Sequence, residues 1–399
     1  MDAFTTPSNW QKVRLGDIAH VFDGTHQTPQ YTHYGVAFFS VENIVSDRPS
    51  KFISQQDYLT ATNQNRPEYN DILLTRIGTI GVSKVVNWNY PFSIYVTLAV
   101  IKQSKYFNSY YLHYFIQSNF FQKELKNNSL LQAIPCKINM NELKKCEVIL
   151  PPLNEQIAIA NVLSDVDRYL YSLDALIFKK ESVKKALSFE LLSQRKRLKG
   201  FNQAWKKVRL GTYKYRRGSF PQPYGNPQWY SDNGMPFVQV YDVGENFKLT
   251  QKTKQKISKI AQPMSVFVPK NSVIITLQGT IGRVALTQYD CYCDRTILIF
   301  DNNTLNDVNK YFFVLSLFTK FEEEKRKADG SIIKTITKQT LKDFEILLPP
   351  LDEQAAIANV LSGLDNEIIS LKNKKRQFEN IKKALNHDLM SAKIRVLNK

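Results

Sequence analysis

One motif of this sequence occurs twice, and this repeat limits the fold more than any other feature. Residues 150–156 read Leu-Pro-Pro-Leu-Asn-Glu-Gln, and residues 348–354 read Leu-Pro-Pro-Leu-Asp-Glu-Gln, an offset of 198 (348 minus 150). The match continues without a gap, because residues 159–164 and 357–362 both read Ile-Ala-Asn-Val-Leu-Ser. The 399 residues therefore contain one structural plan used twice.

The segments that precede these motifs repeat more faintly. Residues 10–16 read Trp-Gln-Lys-Val-Arg-Leu-Gly, and residues 205–211 read Trp-Lys-Lys-Val-Arg-Leu-Gly. Gly-Thr-Ile-Gly occurs at 78–81 and again at 279–282. Between these markers most side chains differ. We therefore predict two globular blocks that share a scaffold but have diverged surfaces.

The sequence after each Pro-Pro pair has a helical pattern. Proline is favourable near a helix start, and Asn154 and Asp352 can cap the first turn. Apolar residues recur at steps of three and four, and only Gly363 interrupts the second segment. Each segment could form a helix of about 40 residues, roughly 60 Å at 1.5 Å per residue.

Helices of this length favour a coiled coil. Each helix follows a block of similar size, so the helices would pair antiparallel, with the blocks at opposite ends. Lys180 and Lys375 lie near the apolar stripe, so we expect local pairing and no long zipper. The alternative is that each helix packs only against its own block. The predicted helix-pair interface consists of Leu163, Val166, Leu170, Leu173, Ile177, Leu361, Leu364, Ile368, Leu371 and Phe378.

The charge balance is strongly basic. The chain has 54 Lys and Arg against 36 Asp and Glu, a formal net charge of +18. A positive surface attracts polyanions, with nucleic acid the first candidate and an anionic membrane the second. Residues 150–199 and 349–399 each carry nine basic and six acidic side chains, so the blocks hold 12 of the 18 excess charges. A polyanion-binding surface should lie mostly on the blocks; the alternative is a merely basic soluble protein.

The sequence contains no recognisable catalytic constellation. It has no P-loop and no Gly-x-Gly-x-x-Gly after a strand. Amino-methyltransferases have an Asn/Asp-Pro-Pro-aromatic loop whose polar residue holds the target amine. Here leucine stands on both sides of each Pro-Pro pair, so that polar residue is missing. The five histidines and four cysteines fit no metal or disulfide spacing. We therefore expect no bound metal or cofactor. We also expect a cytoplasmic protein, because the sequence shows no signal peptide and no apolar run of about 20 residues.

Polar, aromatic and basic residues gather in the loops of both blocks. Gln and Asn can read adenine, Arg and Lys can read guanine or bind phosphate, and glycine permits close backbone approach. The candidate DNA contacts of the first block are His26, Gln27, Tyr31, Asn43, Thr75, Arg76, Gly78, Thr79, Lys84 and Lys137. Those of the second block are Tyr215, Arg216, Arg217, Gln278, Gly279, Thr280, Arg283, Lys334 and Lys338. For any single residue the alternative is a turn without a partner.

The whole chain resembles the specificity subunit (HsdS) of type I restriction-modification systems. The resemblance depends most on the doubled Leu-Pro-Pro-Leu-x-Glu-Gln motif followed by Ile-Ala-Asn-Val-Leu at 159–163 and 357–361. It implies an α+β fold in which two long helices form an antiparallel coiled coil and the internal repeat is pseudo-twofold. The implied domains are α/β target-recognition domains at 1–150 and 200–348 and spacer helices at 151–199 and 349–399.

The resemblance also implies a DNA-recognition subunit that is not catalytic alone. Each target-recognition domain would read one half of an asymmetric target in double-stranded DNA, and the helix pair would set the gap between the halves. Two methyltransferase subunits and the restriction (translocase) subunits would be the partners, using S-adenosylmethionine, ATP and Mg²⁺. The complex would combine adenine-N6 methylation with type I site-specific cleavage, in defence of a prokaryotic cell against foreign DNA.

Two other functions remain open from the residues alone. One is a self-sufficient DNA methyltransferase or nuclease, against which the missing cofactor motifs argue. The other is a coiled-coil scaffold that binds only protein, which would leave the positive charge of the blocks unexplained.

Overall fold

The computed structural model describes residues 7–44, 49, 51–244, 246–327 and 338–396. Contacts divide the chain into two units, one of residues 1–175 with 373–399 and one of residues 176–372. Each unit therefore contains one globular block together with a part of both long helices.

The first block contains two four-stranded sheets, a separate pair of strands and a layer of short helices. Strands β2, β9, β6 and β7 form an antiparallel sheet in that order, and β3, β5, β4 and β8 form a second sheet in which β4 and β8 are parallel. The first block has strands β1 (Gln11–Arg14), β2 (Val21–Asp23), β3 (Tyr31–Thr32), β4 (Val36–Phe39), β5 (Lys51–Ile53), β6 (Ile72–Thr75), β7 (Ser83–Val85), β8 (Phe92–Ile94), β9 (Leu98–Ile101) and β10 (Glu147–Leu150). Its helices are α1 (Leu15–Ile18), α2 (Gln55–Ala61), α3 (Ser109–Ile116), α4 (Asn119–Asn127) and α5 (Met140–Lys145).

Helix α6 (Leu153–Leu192) leads to the second block, which repeats this topology. Its strands are β11 (Lys206–Arg209), β12 (Tyr215–Arg217), β13 (Tyr230–Val238), β14 (Gln255–Ile257), β15 (Val266–Val268), β16 (Val273–Thr276), β17 (Val284–Leu286), β18 (Cys291–Cys293), β19 (Ile297–Phe300) and β20 (Glu345–Leu348). Helices α7 (Lys310–Lys327) and α8 (Lys338–Asp343) precede β20, and α9 (Leu351–Met390) follows it.

The two blocks agree in sheet order except at one outer strand. The order β12-β19-β16-β17 matches β2-β9-β6-β7, and the parallel pair β13/β18 matches β4/β8. Strand β1 pairs with β10 as β11 pairs with β20. The outer strand of the second sheet differs, since β3 pairs with β5 whereas β15 pairs with β18. The shared scaffold predicted from the faint repeat is therefore confirmed.

The central strands are apolar throughout because both of their faces are covered. In β6, Ile72 and Leu74 point to the core that includes Tyr111 of α3, whereas Leu73 points to the core between the two sheets. Alternation of side chains along a strand produces this division. The second block repeats it, because Ile275 joins the helix-side core and Ile274 the core between its sheets. The rigid part of each block is thus a sheet held between two apolar layers.

Helices α6 and α9 pack together and run antiparallel. In the first unit Asp167 pairs with Lys382 and Asp174 with Lys375, each at 2.6 Å. In the second unit Lys180 pairs with Glu367 at 2.8 Å, and Lys184 pairs with Asp365. Residue numbers rise on one helix as they fall on the other. The antiparallel pair is confirmed, and the alternative of helices that pack only against their own blocks is wrong.

The predicted interface residues differ in burial. Leu163 joins the helix-side core of the first block, and Leu361 that of the second. Leu173, Ile177 and Ile368 are buried as well. The half-buried members are Val166, Leu170, Leu364, Leu371 and Phe378.

Candidate nucleic-acid interface

Three segments of the first block meet at one end of the sheet β2-β9-β6-β7. Gly24 N donates to Leu98 O at 3.4 Å, and Arg76 N donates to Thr97 O at 2.9 Å. The end of β2, the start of β9 and the base of the β6–β7 hairpin are therefore adjacent. Exposed His26 and Gln27 follow β2 at this end.

The β6–β7 hairpin of the first block and the equivalent β16–β17 hairpin of the second have the same hydrogen bonds. Thr75 Oγ1 accepts from Val82 N at 2.9 Å, and Thr276 Oγ1 accepts from Arg283 N at 3.0 Å. Gly78 has a φ of +80° in the left-handed region, and an added Cβ would meet nothing within 4 Å. Glycine lets the chain adopt this conformation, and the open space lets a ligand approach the backbone at the exposed tip.

Arg76 has a structural role, which corrects the prediction of a phosphate or guanine contact. Its side chain is 7% exposed. Its Nη1 donates to Asp23 Oδ2 at 3.0 Å and to Val96 O at 2.8 Å, and its Nε donates to Ile138 O at 3.2 Å. Burial lowers the pKa of Arg76, and the Asp23 carboxylate opposes this shift. The guanidinium therefore joins the segments at this end of the sheet and does not present itself to DNA.

Two further predicted contacts of the first block are also structural. Thr75 is buried and its hydroxyl closes the hairpin. Asn43 is buried, and its Oδ1 accepts from Ser40 N at 3.1 Å in a capping arrangement. Neither side chain faces solvent, so the prediction of direct DNA contact is corrected for both.

The remaining candidates of the first block are accessible. His26 Nε2 lies 3.1 Å from the Asp23 Oδ2 that Arg76 also contacts, which ties this loop to the hairpin. Tyr31 is 42% exposed, with Lys51 Nζ 4.9 Å from the ring centroid. The exposed candidates are His26, Gln27, Tyr31, Gly78 and Thr79, and the half-buried ones are Lys84 and Lys137.

Lys84 and Lys137 lie in different places. Lys137 belongs to a segment that runs beside the hairpin, where its backbone bridges to Ile77 and to Leu130. Lys84 lies in the edge strand β7, and its charge acts on His113 of α3. The structure thus brings Lys137 beside the hairpin turn, whereas Lys84 lies in the second strand of the hairpin, opposite Leu73.

The second block has the same end of the sheet with different side chains. Gly218 N donates to Ile297 O and Leu277 N donates to Thr296 O, each at 2.9 Å. Leu277, which is buried, occupies the position of Arg76, and exposed Arg217 occupies that of Asp23. The internal ion pair of the first block is therefore replaced by a buried leucine and an outward-facing arginine.

The predicted contacts of the second block are mostly at its surface. Arg216 is exposed, and its Nη2 donates to Phe267 O at 3.1 Å. Tyr215 packs its ring against Phe300 at 5.7 Å, and Arg283 Nη1 donates to Val243 O at 3.2 Å. Gly279 and Thr280 are exposed and Gln278 is half-buried. Lys334 and the side chain of Lys338 lie outside the described residues.

Sequence reasoning missed two cation–aromatic pairs of the second block. The Arg295 guanidinium lies 5.4 Å from the ring centroid of Tyr224. Lys254 Nζ lies 5.1 Å from the ring centroid of Tyr241, which is 47% exposed. Such pairs suit contact with phosphates and bases. Their members are distant in sequence, so no local pattern could have identified them.

Glu and Gln of the doubled motif make the same contacts in both units. Glu155 Oε2 accepts from Trp10 Nε1 at 3.2 Å and from Arg395 Nη2 at 2.8 Å. In the other unit Glu353 Oε2 accepts from Trp205 Nε1 at 3.1 Å and from Arg197 Nη2 at 2.6 Å. Gln156 and Gln354 accept from Asn108 N at 2.9 Å and Asn309 N at 2.8 Å. The motif therefore joins each block to its helix start and to an arginine that follows the other helix.

Side chains that could ligate a metal ion are dispersed over the described residues. Within these ranges no group of three or more His, Cys, Asp or Glu could hold a metal ion. Burial raises the pKa of Cys146 to about 12 and that of Cys293 well above its ordinary value, so neither thiol is a ready nucleophile. Also within them, every helix is too short or too polar to cross a bilayer.

Comparison with known proteins agrees with this architecture. The model of the type I restriction modification DNA specificity domain matches residues 7–185 and 222–380. The MjaX and MjaVIII specificity subunits of type I restriction enzymes from Methanocaldococcus jannaschii are 25% and 22% identical. The alignments cover 98% and 100% of this chain and 95% and 96% of those proteins.

Two solved structures have the same fold. The S subunit of a type I restriction-modification system from M. genitalium superposes with a TM-score of 0.62 at 14% identity, covering 96% of both chains. A chain from a study of type I R-M complex assembly and conformational transition superposes with a TM-score of 0.60 at 16% identity. That match covers 97% of this chain and 99% of the other.

Proposed function

Because the chain belongs to the family of type I restriction-modification DNA specificity subunits, we propose that it selects the DNA target of such a complex. Its first block reads one half of an asymmetric, bipartite target in double-stranded DNA, and its second block reads the other half. The protein works in the cytoplasm of a prokaryotic cell and catalyses nothing by itself.

The observation that carries this proposal is that the two blocks share a backbone scaffold but differ in the side chains at one end of the sheet. The blocks share sheet order and hairpin hydrogen bonds, yet the end of the sheet carries Asp23 with Arg76 in one and Arg217 with Leu277 in the other. Base readout depends on side-chain identity, so equal scaffolds with unlike ends suit two unlike half-sites. Helices α6 and α9 have 40 residues each, about 60 Å, which suits a spacer between two half-sites.

The helices serve as docking sites for two copies of the methyltransferase subunit. Several exposed residues of α6 recur unchanged and exposed in α9 at an offset of 198. Exposed side chains need not be equal for the fold, so their equality favours a common partner at both places. The equal exposed pairs are Leu153/Leu351, Asn161/Asn359, Ser172/Ser370, Glu181/Glu379, Lys185/Lys383 and Ala186/Ala384.

The chemistry of the complex belongs to the partner subunits. The methyltransferase subunits use S-adenosylmethionine to methylate adenine N6, and the restriction subunits use ATP and Mg²⁺ to translocate and cut DNA. This chain contributes the choice of target. By itself it should bind DNA weakly and with strong dependence on salt, because its basic residues would meet phosphates.

Methylation mapping tests the proposal directly. The chain is co-expressed with its methyltransferase subunit in a host without other adenine methyltransferases, and N6-methyladenine is mapped across the genome. We expect one asymmetric motif with two defined halves and a fixed gap, and no methylation when either protein is expressed alone. Methylation without a bipartite motif, or activity of this chain alone, would contradict the proposal.

A further inference from the structure

An exposed apolar loop lies beside the hairpin tip of the first block. Residues 128–139 connect α4 to α5, and they expose Leu130 by 49%, Leu131 by 49% and Ile134 by 101%. We propose that this loop contacts the bases of the first half-site and that Ile134 enters the groove as an apolar wedge. This inference rests on the proposed DNA-recognition function and adds a specificity-determining element to it.

Hydrogen bonds within the loop fix its shape. Leu130 N donates to Lys137 O at 2.7 Å, Lys137 N donates to Leu130 O at 3.4 Å, and Ala133 N donates to Leu130 O at 3.3 Å. Pro135 restricts its own φ angle directly after Ile134. The exposed isoleucine is therefore held at the end of a closed loop.

A second set of contacts fastens the loop to the hairpin. Gly78 N donates to Cys136 O at 2.8 Å, and Ile138 N donates to Arg76 O at 3.0 Å. Cys136 Sγ donates to Gly78 O at 2.8 Å. The loop is thus fixed to the exposed hairpin tip, where the space beside the Gly78 Cα is open.

The surrounding charge favours DNA as the occupant of this surface. Between residues 119 and 141 the charged side chains are Lys123, Glu124, Lys126 and Lys137. Both Lys123 and Lys126 are exposed, whereas Glu124 Oε2 accepts from Glu147 N at 3.3 Å. Lys137, which belongs to the loop, and the apolar tip match the two parts of duplex DNA, because lysines bind phosphates and apolar side chains contact thymine methyl groups or enter a base step.

The test uses the complex with the methyltransferase subunit and a duplex carrying the mapped motif. 2-Aminopurine replaces bases of the first half-site one at a time, since its fluorescence rises when stacking is lost. We expect the wild-type complex to raise the fluorescence at one step other than the adenine that is methylated, because the methyltransferase subunit extrudes that base itself. Ile134→Ser should abolish that rise and weaken binding about tenfold or more, whereas Ile134→Leu should retain both.

Two control variants separate an apolar base contact from other effects. Lys137→Gln should lower the slope of log affinity against log salt by about one, whereas Ile134→Ser should leave that slope unchanged. Leu59→Ser changes another exposed apolar residue of this block, 54% exposed on α2, and should leave affinity unchanged.

Specific results would overturn the inference. Unchanged affinity and fluorescence for Ile134→Ser would remove the loop from the DNA interface. Loss of the methyltransferase subunit from the Ile134→Ser complex, seen by size-exclusion chromatography, would make the loop a protein-docking site instead. A wild-type complex that does not prefer the mapped motif would refute the proposed function itself, and the inference with it.

Discussion

At the scale of single residues, the position of Arg76 is occupied differently in the two blocks, where the hairpin meets the neighbouring strand. The first block joins its hairpin to the end of β2 by the Arg76–Asp23 ion pair, and the second has the buried Leu277 at this place. A buried pair stabilises only while both partners are present, because removing one leaves the other uncompensated. An apolar residue of suitable size avoids that cost.

This comparison makes a stability prediction for the first block. Arg76→Ala should destabilise it by about 3 kcal/mol, measured by denaturant unfolding or by hydrogen exchange of β6 and β9. Arg76→Leu combined with Asp23→Asn removes both charges and places at 76 the residue type that the second block has there, and it should recover a large part of the loss. If Arg76→Ala changed only DNA affinity and left stability intact, the structural role of Arg76 would be wrong.

His113 makes the first block sensitive to acid. It hydrogen-bonds Ser83 Oγ at 2.9 Å and Gln117 Nε2 at 2.8 Å. Burial, helped by the charges of Lys382 and Lys84 and opposed by Asp167, lowers its pKa from 6.5 to about 4. Between these values the unfolded chain binds a proton that the folded block does not bind. Stability is therefore present above pH 6.5 and is lost as the pH falls toward 4.

The expected size of this loss is up to about 3 kcal/mol. Hydrogen exchange of α3 peptides between pH 7 and pH 4.5, corrected for the intrinsic rate, measures it. In the His113→Gln variant the same peptides should show a clearly flatter pH dependence. Equal slopes for the two proteins would show that His113 is not the group responsible.

At the scale of elements, the doubled motif acts as a joint. Glu155 receives hydrogen bonds from Trp10, which precedes β1, and from Arg395, which follows α9. Both donors and the carboxylate belong to the first unit, and the same arrangement exists around Glu353 in the second. The carboxylate of the motif thus holds a strand, a helix start and a helix tail together.

Loss of this carboxylate should affect one unit at a time. Glu155→Gln removes the charge of the buried carboxylate that binds the half-buried Arg395 and should destabilise the first unit by about 1–3 kcal/mol. Hydrogen exchange should rise in β1, β10 and the start of α6, while the second unit stays unchanged. Glu379→Gln is the matched control, because its exposed pairing with Lys375 contributes less than about 1 kcal/mol. Similar effects of both variants would exclude the joint.

At the scale of the whole molecule, the repeat predicts how many partners the chain binds. Leu153 and Leu351 are equivalent and about equally exposed, at 47% and 50%. If each lies in a docking site for the same methyltransferase subunit, Leu153→Asp or Leu351→Asp should reduce the complex from two such subunits to one. The double variant should bind none.

Mass measurement of the purified complexes checks this stoichiometry. Leu59→Asp alters an exposed leucine of the first block and should leave two subunits bound. Retention of both subunits by the double variant would exclude these leucines from the docking sites. Loss of both subunits from either single variant would indicate one shared site and not two equivalent ones.

The sequence alone was sufficient for the architecture. The repeat at an offset of 198 predicted two blocks on one scaffold. The long apolar pattern at steps of three and four predicted paired helices. Both features are patterns that can be followed along the chain. The same reasoning identified exposed loop residues such as His26 and Thr79. Which DNA bases the blocks read is not encoded in any such pattern.

The tertiary structure decided what individual polar residues do. Arg76, Thr75 and Asn43 have residue types that suit DNA, yet each is buried and bonded within the block. The partner of Arg76 at Ile138 is 62 residues away along the chain and comes close only after the chain folds. Conversely, Ile134 would be expected inside a protein, but folding leaves it exposed beside the hairpin. Burial depends on contacts between distant segments, and a linear pattern contains no information about them.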